Sequence, residues 1–338
     1  MVASVVVDLG ALRRNVRRLV DVLAGSELWA VVKADAYGHG AIDVARVTLA
    51  EGARALCVAT PREGLALRAA FPEARILVMG PTGPSGLASA RDARLEIGVA
   101  QPPFPEGLSL HVELDTGMGR YGTSELPALT PGVVGLMSHL ATADTDAAFA
   151  VQQLERFREA AVANPGLEAH VANSAAALRM PGSRFSAARC GVALYGLSPF
   201  GGNPADDGLE PVLSWRSALA QVKLLEEGES TGYGRRFVAG RPTWIGLVPV
   251  GYADGFRRDL TGTKVLVDGK RRTVVGTVSM DSFAVELPGR LAEGTPVTII
   301  GDGLLAEEHA RFAETINYEI TCGVRAHPDR ADREIRDG

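Results

Sequence analysis

Leu28-Trp29-Ala30-Val31-Val32-Lys33 is an apolar run that stops abruptly on a lysine. Nearly continuous apolar runs of this kind mark parallel strands covered by helices. Comparable runs follow at Ala55–Thr60, Arg75–Gly80, Arg94–Val99, Ser109–Asp115, Val133–His139 and Glu168–Asn173, with a less distinct eighth around Arg189–Val192. Helical stretches lie between many of them, at Ala41–Ala50, Arg62–Phe71 and Asp146–Ala163. Before the first run, Leu12, Val16, Leu19, Val20 and Leu23 keep helical spacing, with Asp8 placed as an N-cap. Eight strands alternating with helices over roughly 200 residues predict an α/β fold of the (β/α)8, TIM-barrel type.

Two crossovers depart from that pattern. Gln101–Gly107 carries three prolines, and Leu126–Gly132 contains Pro127 and Pro131. Proline removes a backbone donor and breaks a helix interior, so both crossovers are expected as loops. Beyond about Pro211 strand-like runs dominate: Ala218–Leu225, Thr243–Pro249, Lys264–Val267, Arg272–Val285 and Pro296–Ile300. Asp268-Gly269 is a hairpin signal, and a short helix is expected near Ala306–Thr315. The domain division is therefore 1–210 for the barrel and 211–338 for a mainly β domain.

Composition narrows the function classes. With 35 basic and 40 acidic residues the net charge is −5. No basic block invites nucleic acid or a membrane surface, and no apolar run near the start has the length of a signal peptide or span. Cys57, Cys190 and Cys322 are widely spaced, which suits free thiols in a reducing, cytoplasmic setting. The six histidines show no metal-type spacing, so no metal is expected. Lysine is rare: only Lys33, Lys223, Lys264 and Lys270 are present, and Lys33 is alone in the first 222 residues. At the C-terminal mouth of a barrel strand it stands where barrel active sites assemble. A buried amine there suits Schiff-base chemistry. Gly117-Met-Gly-Arg-Tyr-Gly122 matches a dinucleotide fingerprint, but the prolines after it deny the helix such a site requires.

The segment Val31-Val-Lys-Ala-Asp-Ala-Tyr-Gly-His-Gly40 resembles the pyridoxal-phosphate (PLP) attachment motif of the alanine racemase family. The resemblance continues through Leu114–Arg120, Ser138–Asp144, His170–Ala176, Gly232–Gly234, Pro249–Gly255, Ser279–Asp281 and Ile316–Glu319, so it spans nearly the whole chain. It implies a PLP-dependent interconversion of L- and D-alanine that supplies D-alanine for peptidoglycan, in a homodimer with shared active sites. Lys33 would bind PLP covalently and act as one base. Tyr233, reaching in from the partner subunit, would act as the other. Asn173, Ser174, Gly191, Val192, Tyr37 and Tyr318 would surround the cofactor phosphate. Arg189 would face the pyridine nitrogen, steadied by His170, and a chain Tyr233–His139–Arg189 would help the phenol act as a base. Arg120 would contact cofactor and substrate carboxylate. Met280 and Asp281 would join from the partner, and Tyr252 and Tyr318 would narrow the entrance toward a small side chain.

One position departs from the family. Glu113 stands where many alanine racemases carry a lysine that becomes carbamylated, and its carboxylate is expected to replace that anion by pairing with Arg120. Rival readings are a racemase of another small amino acid such as serine, or a decarboxylase of the same architecture. The latter needs a second-domain cysteine near the substrate, and Cys322 sits in no recognisable motif. Borohydride reduction in the presence of PLP, followed by peptide mapping, is expected to fix the label on Lys33. Label on Lys223, Lys264 or Lys270 overturns the assignment.

Overall fold

The computed structural model describes residues 3–325 and 330–337. It divides into two compact units, Leu12–Glu210 and Met1–Ala11 with Pro211–Gly338.

In the first unit eight parallel strands close a barrel: β2 (Glu27–Val31), β3 (Ala55–Val58), β4 (Ile76–Val78), β5 (Glu96–Val99), β6 (Leu110–Glu113), β7 (Val133–Met137), β8 (Glu168–His170) and β9 (Ala187–Cys190). β9 returns to β2, with Arg189 beside Trp29 in the ladder. Every strand predicted for the barrel is present, the first seven a little shorter than their apolar runs and the eighth two residues earlier than expected, at Ala187–Cys190. The helices start where local chemistry allows. Thr60 and Glu63 form a reciprocal capping box with Pro61 in the first turn. Asp146 caps Ala147–Ala163 through Phe149 N–H. Asp8 Oδ1 accepts from Ala11 N–H at 2.8 Å, as its N-cap reading requires. Neither 101–107 nor 126–132 forms a helix. No helix among the described residues is long and apolar enough to cross a membrane.

The second unit is built on a nine-stranded sheet. Its members are β1 (Ala3–Asp8), β10 (Leu213–Ala218), β11 (Gln221–Leu225), β14 (Thr243–Val248), β15 (Lys264–Val267), β16 (Lys270–Val275), β17 (Phe283–Leu287), β18 (Pro296–Ile300) and β19 (Asp332–Arg336). β12 (Ser230–Thr231) and β13 (Phe237–Val238) form a separate two-stranded ribbon. The order is β11-β14-β17-β16-β15-β18-β10-β1-β19. The domain division expected from the sequence is corrected here. Residues 3–11 leave the barrel because β1 pairs with β10, Val5 opposite Trp215, and its apolar residues are buried in that sheet. One face packs Leu225, Ile245, Val275 and Ala284 together. Phe256 stacks on Phe283 at 4.4 Å.

The run Arg272–Val285 proves to be two strands, parted by a loop that begins at Gly276 with φ +68°. A Cβ at Gly276 would lie 2.7 Å from the Thr231 carbonyl oxygen, so the turn is reserved for glycine. Further helix follows Ala306–Phe312, at Asn317–Gly323, where Asn317 donates to buried Glu307 at 2.9 Å. The predicted hairpin joins β15 to β16 with Val267 opposite Lys270. Asp268 and Gly269 have φ of +51° and +70°, the positive-φ pair of a primed turn. Nothing lies near a Cβ built on Gly269, so Gly269→Ala isolates backbone strain. It is expected to cost about 1–2 kcal/mol in denaturant unfolding. Asp268→Gly should be neutral or slightly stabilising. An unchanged midpoint for Gly269→Ala contradicts the turn assignment.

Candidate active site

Lys33 lies half-buried just beyond β2, at the C-terminal end of the barrel strands. The chain after it is strained. Ala34, Asp35, Ala36 and Tyr37 all have φ between +50° and +56°, a left-handed turn built from non-glycine residues. Each such residue costs about 1–2 kcal/mol, so the turn must be held from outside. Glu63 Oε1 accepts from Ala34 N–H at 2.9 Å, and Asp35 Oδ1 accepts from Ala41 N–H at 2.7 Å. Tyr37 is thereby turned inward, with its ring 4.9 Å from that of Tyr195. Its hydroxyl would be 2.6 Å from a Cβ on residue 191, and Gly191 leaves that space open. Gly191 N–H donates to Ser174 Oγ at 3.0 Å, and Asn173 Oδ1 caps the helix Ser174–Arg179 through Ala176 N–H. The structure thus brings Tyr37, Ser174 and Gly191 into one corner of the barrel, with Asn173 and Val192 adjoining them in sequence.

Arg189 is buried on β9, 7% exposed. Its Nη1 lies 2.6 Å from His170 Nδ1 and 2.7 Å from the His170 carbonyl oxygen. Nη2 donates to the Ser138 carbonyl at 2.5 Å. Burial lowers the arginine from its ordinary value, while the charge of Glu113 opposes that and Arg120 adds to it. The expected chain through His139 needs correction. Among the described residues no hydrogen bond joins the His139 ring to Arg189, because the guanidinium is committed to His170 and the Ser138 carbonyl. His139 is nonetheless close enough to feel its field. Burial first, then Arg189, Arg120 and Lys33, push its pKa down to about 3.

The Glu113–Arg120 pair is also absent among the described residues. Asp115 explains the outcome: its carboxylate accepts from Gly117 N–H at 2.9 Å and Gly119 N–H at 3.1 Å, which folds the loop on itself. Arg120 is exposed and lies over the Tyr121 ring at 5.4 Å. Glu113 instead lines a cavity of about 280 Å³ with Met79, Ile97, Gln101 and Tyr121. Burial raises its pKa, against the pull of Arg189 and Arg120.

On the β unit, Tyr233, Tyr252 and Met280 are 72%, 42% and 52% exposed. They gather around one loop. Thr277 Oγ1 donates to the Tyr233 carbonyl at 2.9 Å, and Tyr252 N–H donates to the Ser279 carbonyl at 3.1 Å. A Cβ on Gly251 would lie 2.3 Å from the carbonyls of Ser279 and Met280, so that contact depends on glycine. Asp281 is held by Arg330, which also grips Asp254. Arg330 escaped the sequence reading, since nothing local marks an arginine near the end of the chain. Tyr318 is half-buried on the helix Asn317–Gly323.

A closed eight-stranded β/α barrel and a mainly β unit define a two-domain fold class. Residues 7–199 match the family model described as "Alanine racemase, N-terminal domain", and residues 212–332 match "Alanine racemase, C-terminal domain". The alanine racemase of Levilactobacillus brevis is 40% identical, over 98% of this chain and 97% of the relative. That of Geobacillus stearothermophilus is 40% identical, over 94% and 90%. The crystal structure of alanine racemase from D-cycloserine producing Streptomyces lavendulae superposes with a TM-score of 0.90 at 34% identity, covering 99% of this chain and 97% of the other. The chain belongs to the alanine racemase family, and its activity is the interconversion of L- and D-alanine. Neither the decarboxylase nor the serine-directed reading finds support among these relatives.

His139 and His170 have a consequence for stability. His139 and His170 are both held below the ordinary histidine value of about 6.5, by burial first and then by neighbouring cations. Above that pH both the folded and unfolded forms are neutral and stability is fully present. As pH falls below it, the unfolded chain takes up protons that the folded one refuses. Stability should therefore decline from pH 6.5 toward the folded value, by up to about 1.4 kcal/mol per pH unit for each histidine. Denaturant midpoints at pH 7.5 and 5 test this. His139→Asn should flatten the slope, and a wild-type midpoint that does not move contradicts neutral rings in the folded state.

Proposed function

We propose that the barrel mouth holds PLP, and that Lys33 and Tyr233 are the two bases that exchange the α-proton of alanine. The observation that carries this reading is the corner formed by Tyr37, Ser174 and Gly191, with Lys33 just beyond β2 and Arg189 on the neighbouring β9. Its chemistry fits the cofactor: hydroxyls, an amide and backbone N–H groups donate to a phosphate, and the space beside Tyr37 is one that a Cβ would fill. Bound there, PLP supplies an electron sink that acidifies the α-proton of an attached amino acid. Arg189 offers only donors, so it would face the cofactor's ring nitrogen without giving up a proton. The Lys33 amine and the Tyr233 phenol hold or release a proton at opposite faces of the α-carbon, each contributing about 10²–10⁴-fold. Arg120 and the backbone N–H of Met280 orient the substrate carboxylate, with Arg330 neutralising Asp281 nearby. Tyr252 and Tyr318 restrict the side chain to something as small as a methyl group.

The acting unit in this reading is a homodimer in which the β unit of one protomer completes the barrel site of its partner. Three large hydrophobic side chains left exposed around one loop support it. The enzyme works in the cytoplasm, where cysteines outside disulfides such as Cys57, Cys190 and Cys322 are at home, and supplies D-alanine for peptidoglycan. Mixing Lys33→Ala with Tyr233→Phe, each inactive alone, should generate hybrid dimers with one intact site. At equal mixing about a quarter of wild-type activity is expected, since half the dimers are hybrids with one working site each. Proven subunit exchange without returning activity refutes the shared site.

A further inference from the structure

Behind Arg189 the barrel interior holds a hydrogen-bonded row of polar side chains. His170 Nε2 is 2.8 Å from Nδ1 of His111, on β6. His111 Nε2 is 2.8 Å from Oε2 of Glu96, the first residue of β5. Arg75, just before β4, donates to both Glu96 oxygens at 2.7 and 2.9 Å and continues to Glu168 at the start of β8. Both histidines are wholly buried, whereas the side chains of Glu96, Arg75 and Glu168 are 17%, 24% and 41% exposed. The row therefore runs from the mouth of the barrel to its base.

The order of protons along this row is fixed by elimination. A guanidinium has no acceptor, so His170 Nδ1 must accept from Arg189. A neutral His170 then carries its hydrogen on Nε2 and donates it to His111 Nδ1. His111 in turn carries its hydrogen on Nε2 and donates to Glu96. Any other neutral tautomer, or a doubly protonated ring at either position, would set two donors face to face at 2.6 or 2.8 Å.

The rings are also fixed in place. A Cβ on residue 135 would lie 2.0 Å from His111 Nδ1, so Gly135 on β7 is what admits the ring. Trp29 meets His111 edge-on at 5.8 Å and His170 at 4.5 Å, and Arg75 lies over the Trp29 ring at 4.5 Å.

We propose that Glu96 and His111 are positioning residues for Arg189, locking His170 as a bare Nδ1 acceptor and so tying the guanidinium at the barrel mouth to the ion-pair cluster at its base. This rests on the reading that Arg189 faces the cofactor. A carboxylate at the end of a histidine row orients each ring and strengthens the far nitrogen as an acceptor, as outer partners do for metal-bound histidines. Burial works to raise the Glu96 carboxyl, but hydrogen bonds from His111 and Arg75 hold it below the usual carboxylate range, so it stays an acceptor.

Nitrogen-15 NMR of histidine-labelled wild-type protein reads the tautomers directly, with no dependence on turnover. His111 and His170 should both appear as neutral Nε2–H rings at about pH 7. An Nδ1–H or doubly protonated ring at either position overturns the proposal. Glu96→Leu removes the terminal acceptor and should scramble the His111 signals, lowering kcat about tenfold or more with KM for alanine little changed. Glu96→Gln, of wild-type shape, should fall between the two. Glu168→Gln disturbs the same base cluster yet spares the Glu96–His111 bond, so it should keep wild-type tautomers and kcat. A folded Glu96→Leu or Glu96→Gln with wild-type kcat overturns the positioning role. Arg189→Lys separates the two readings. Loss of turnover there with intact tautomers in the wild type supports both, whereas wild-type turnover in Arg189→Lys removes the cofactor-facing role of Arg189 and the positioning claim with it, leaving only the tautomer order.

Discussion

Arg189 carries a positive charge into the interior of a closed barrel, where an ion without partners costs several kcal/mol. Most of the unusual features of the barrel can be traced to that demand. The guanidinium takes the carbonyls of Ser138 and His170 and the Nδ1 of His170. His170 then needs an acceptor of its own, which is His111, and His111 needs Glu96. Glu96 is a half-desolvated carboxylate and needs Arg75, which in turn needs Glu168. Gly135 is small so that His111 fits, and the Trp29 ring fills the space between the polar groups. A chain of hydrogen bonds of this kind is worth having only when every member is satisfied. Among these six side chains each buried donor and acceptor named here has its partner.

The turn after Lys33 shows a second use of constraint. Four consecutive residues hold positive φ, and the strain is offset by carboxylates from Glu63 and Asp35 that accept backbone N–H groups. Glu63 does this while also closing the capping box of its own helix. Helix initiation and active-site geometry are therefore joined in one side chain. The result turns Tyr37 toward Gly191 and leaves Lys33 at the strand mouth with little backbone freedom. Preorganisation of this kind places reactive groups without requiring them to be ordered when substrate arrives.

The β unit solves a different problem. Its catalytic-type residues sit on turns, and turns are free to move unless they interlock. Gly251 and Gly276 allow two loops to meet backbone to backbone, and Arg330 pins Asp254 and Asp281 across the contact. Tyr233, Tyr252 and Met280 then project from a stiff base although their side chains are exposed. Large apolar groups held rigidly in the open are the usual mark of a surface that another body covers.

Much of the architecture was legible in the chain itself. Apolar runs of strand length separated by helical periods predicted all eight barrel strands, because side-chain burial in a parallel barrel is nearly continuous and needs no distant information. Proline likewise removed two helices by a purely local effect, the loss of a backbone donor. The membership in the family was legible as an ordered set of short motifs, from Lys33 to Tyr318. Missed were β1, whose partner β10 lies some 200 residues away, and the row Arg75–Glu96–His111, whose members look like isolated polar residues on or just before separate strands. Misjudged were two contacts, Glu113–Arg120 and His139–Arg189, for which motif position gave identity but not partner: the Asp115 carboxylate folds the loop before Arg120 on itself, and Arg189 gives its hydrogen bonds to His170 and the Ser138 carbonyl. The sequence by itself determined the periodicity, the breaks and the inventory of reactive groups, since these follow from each residue and its near neighbours. Which of those groups touch was decided only when the barrel closed, because a hydrogen bond needs its partners within about 3 Å, and closure brings together residues 75, 96, 111, 168, 170 and 189 from strands far apart in the chain.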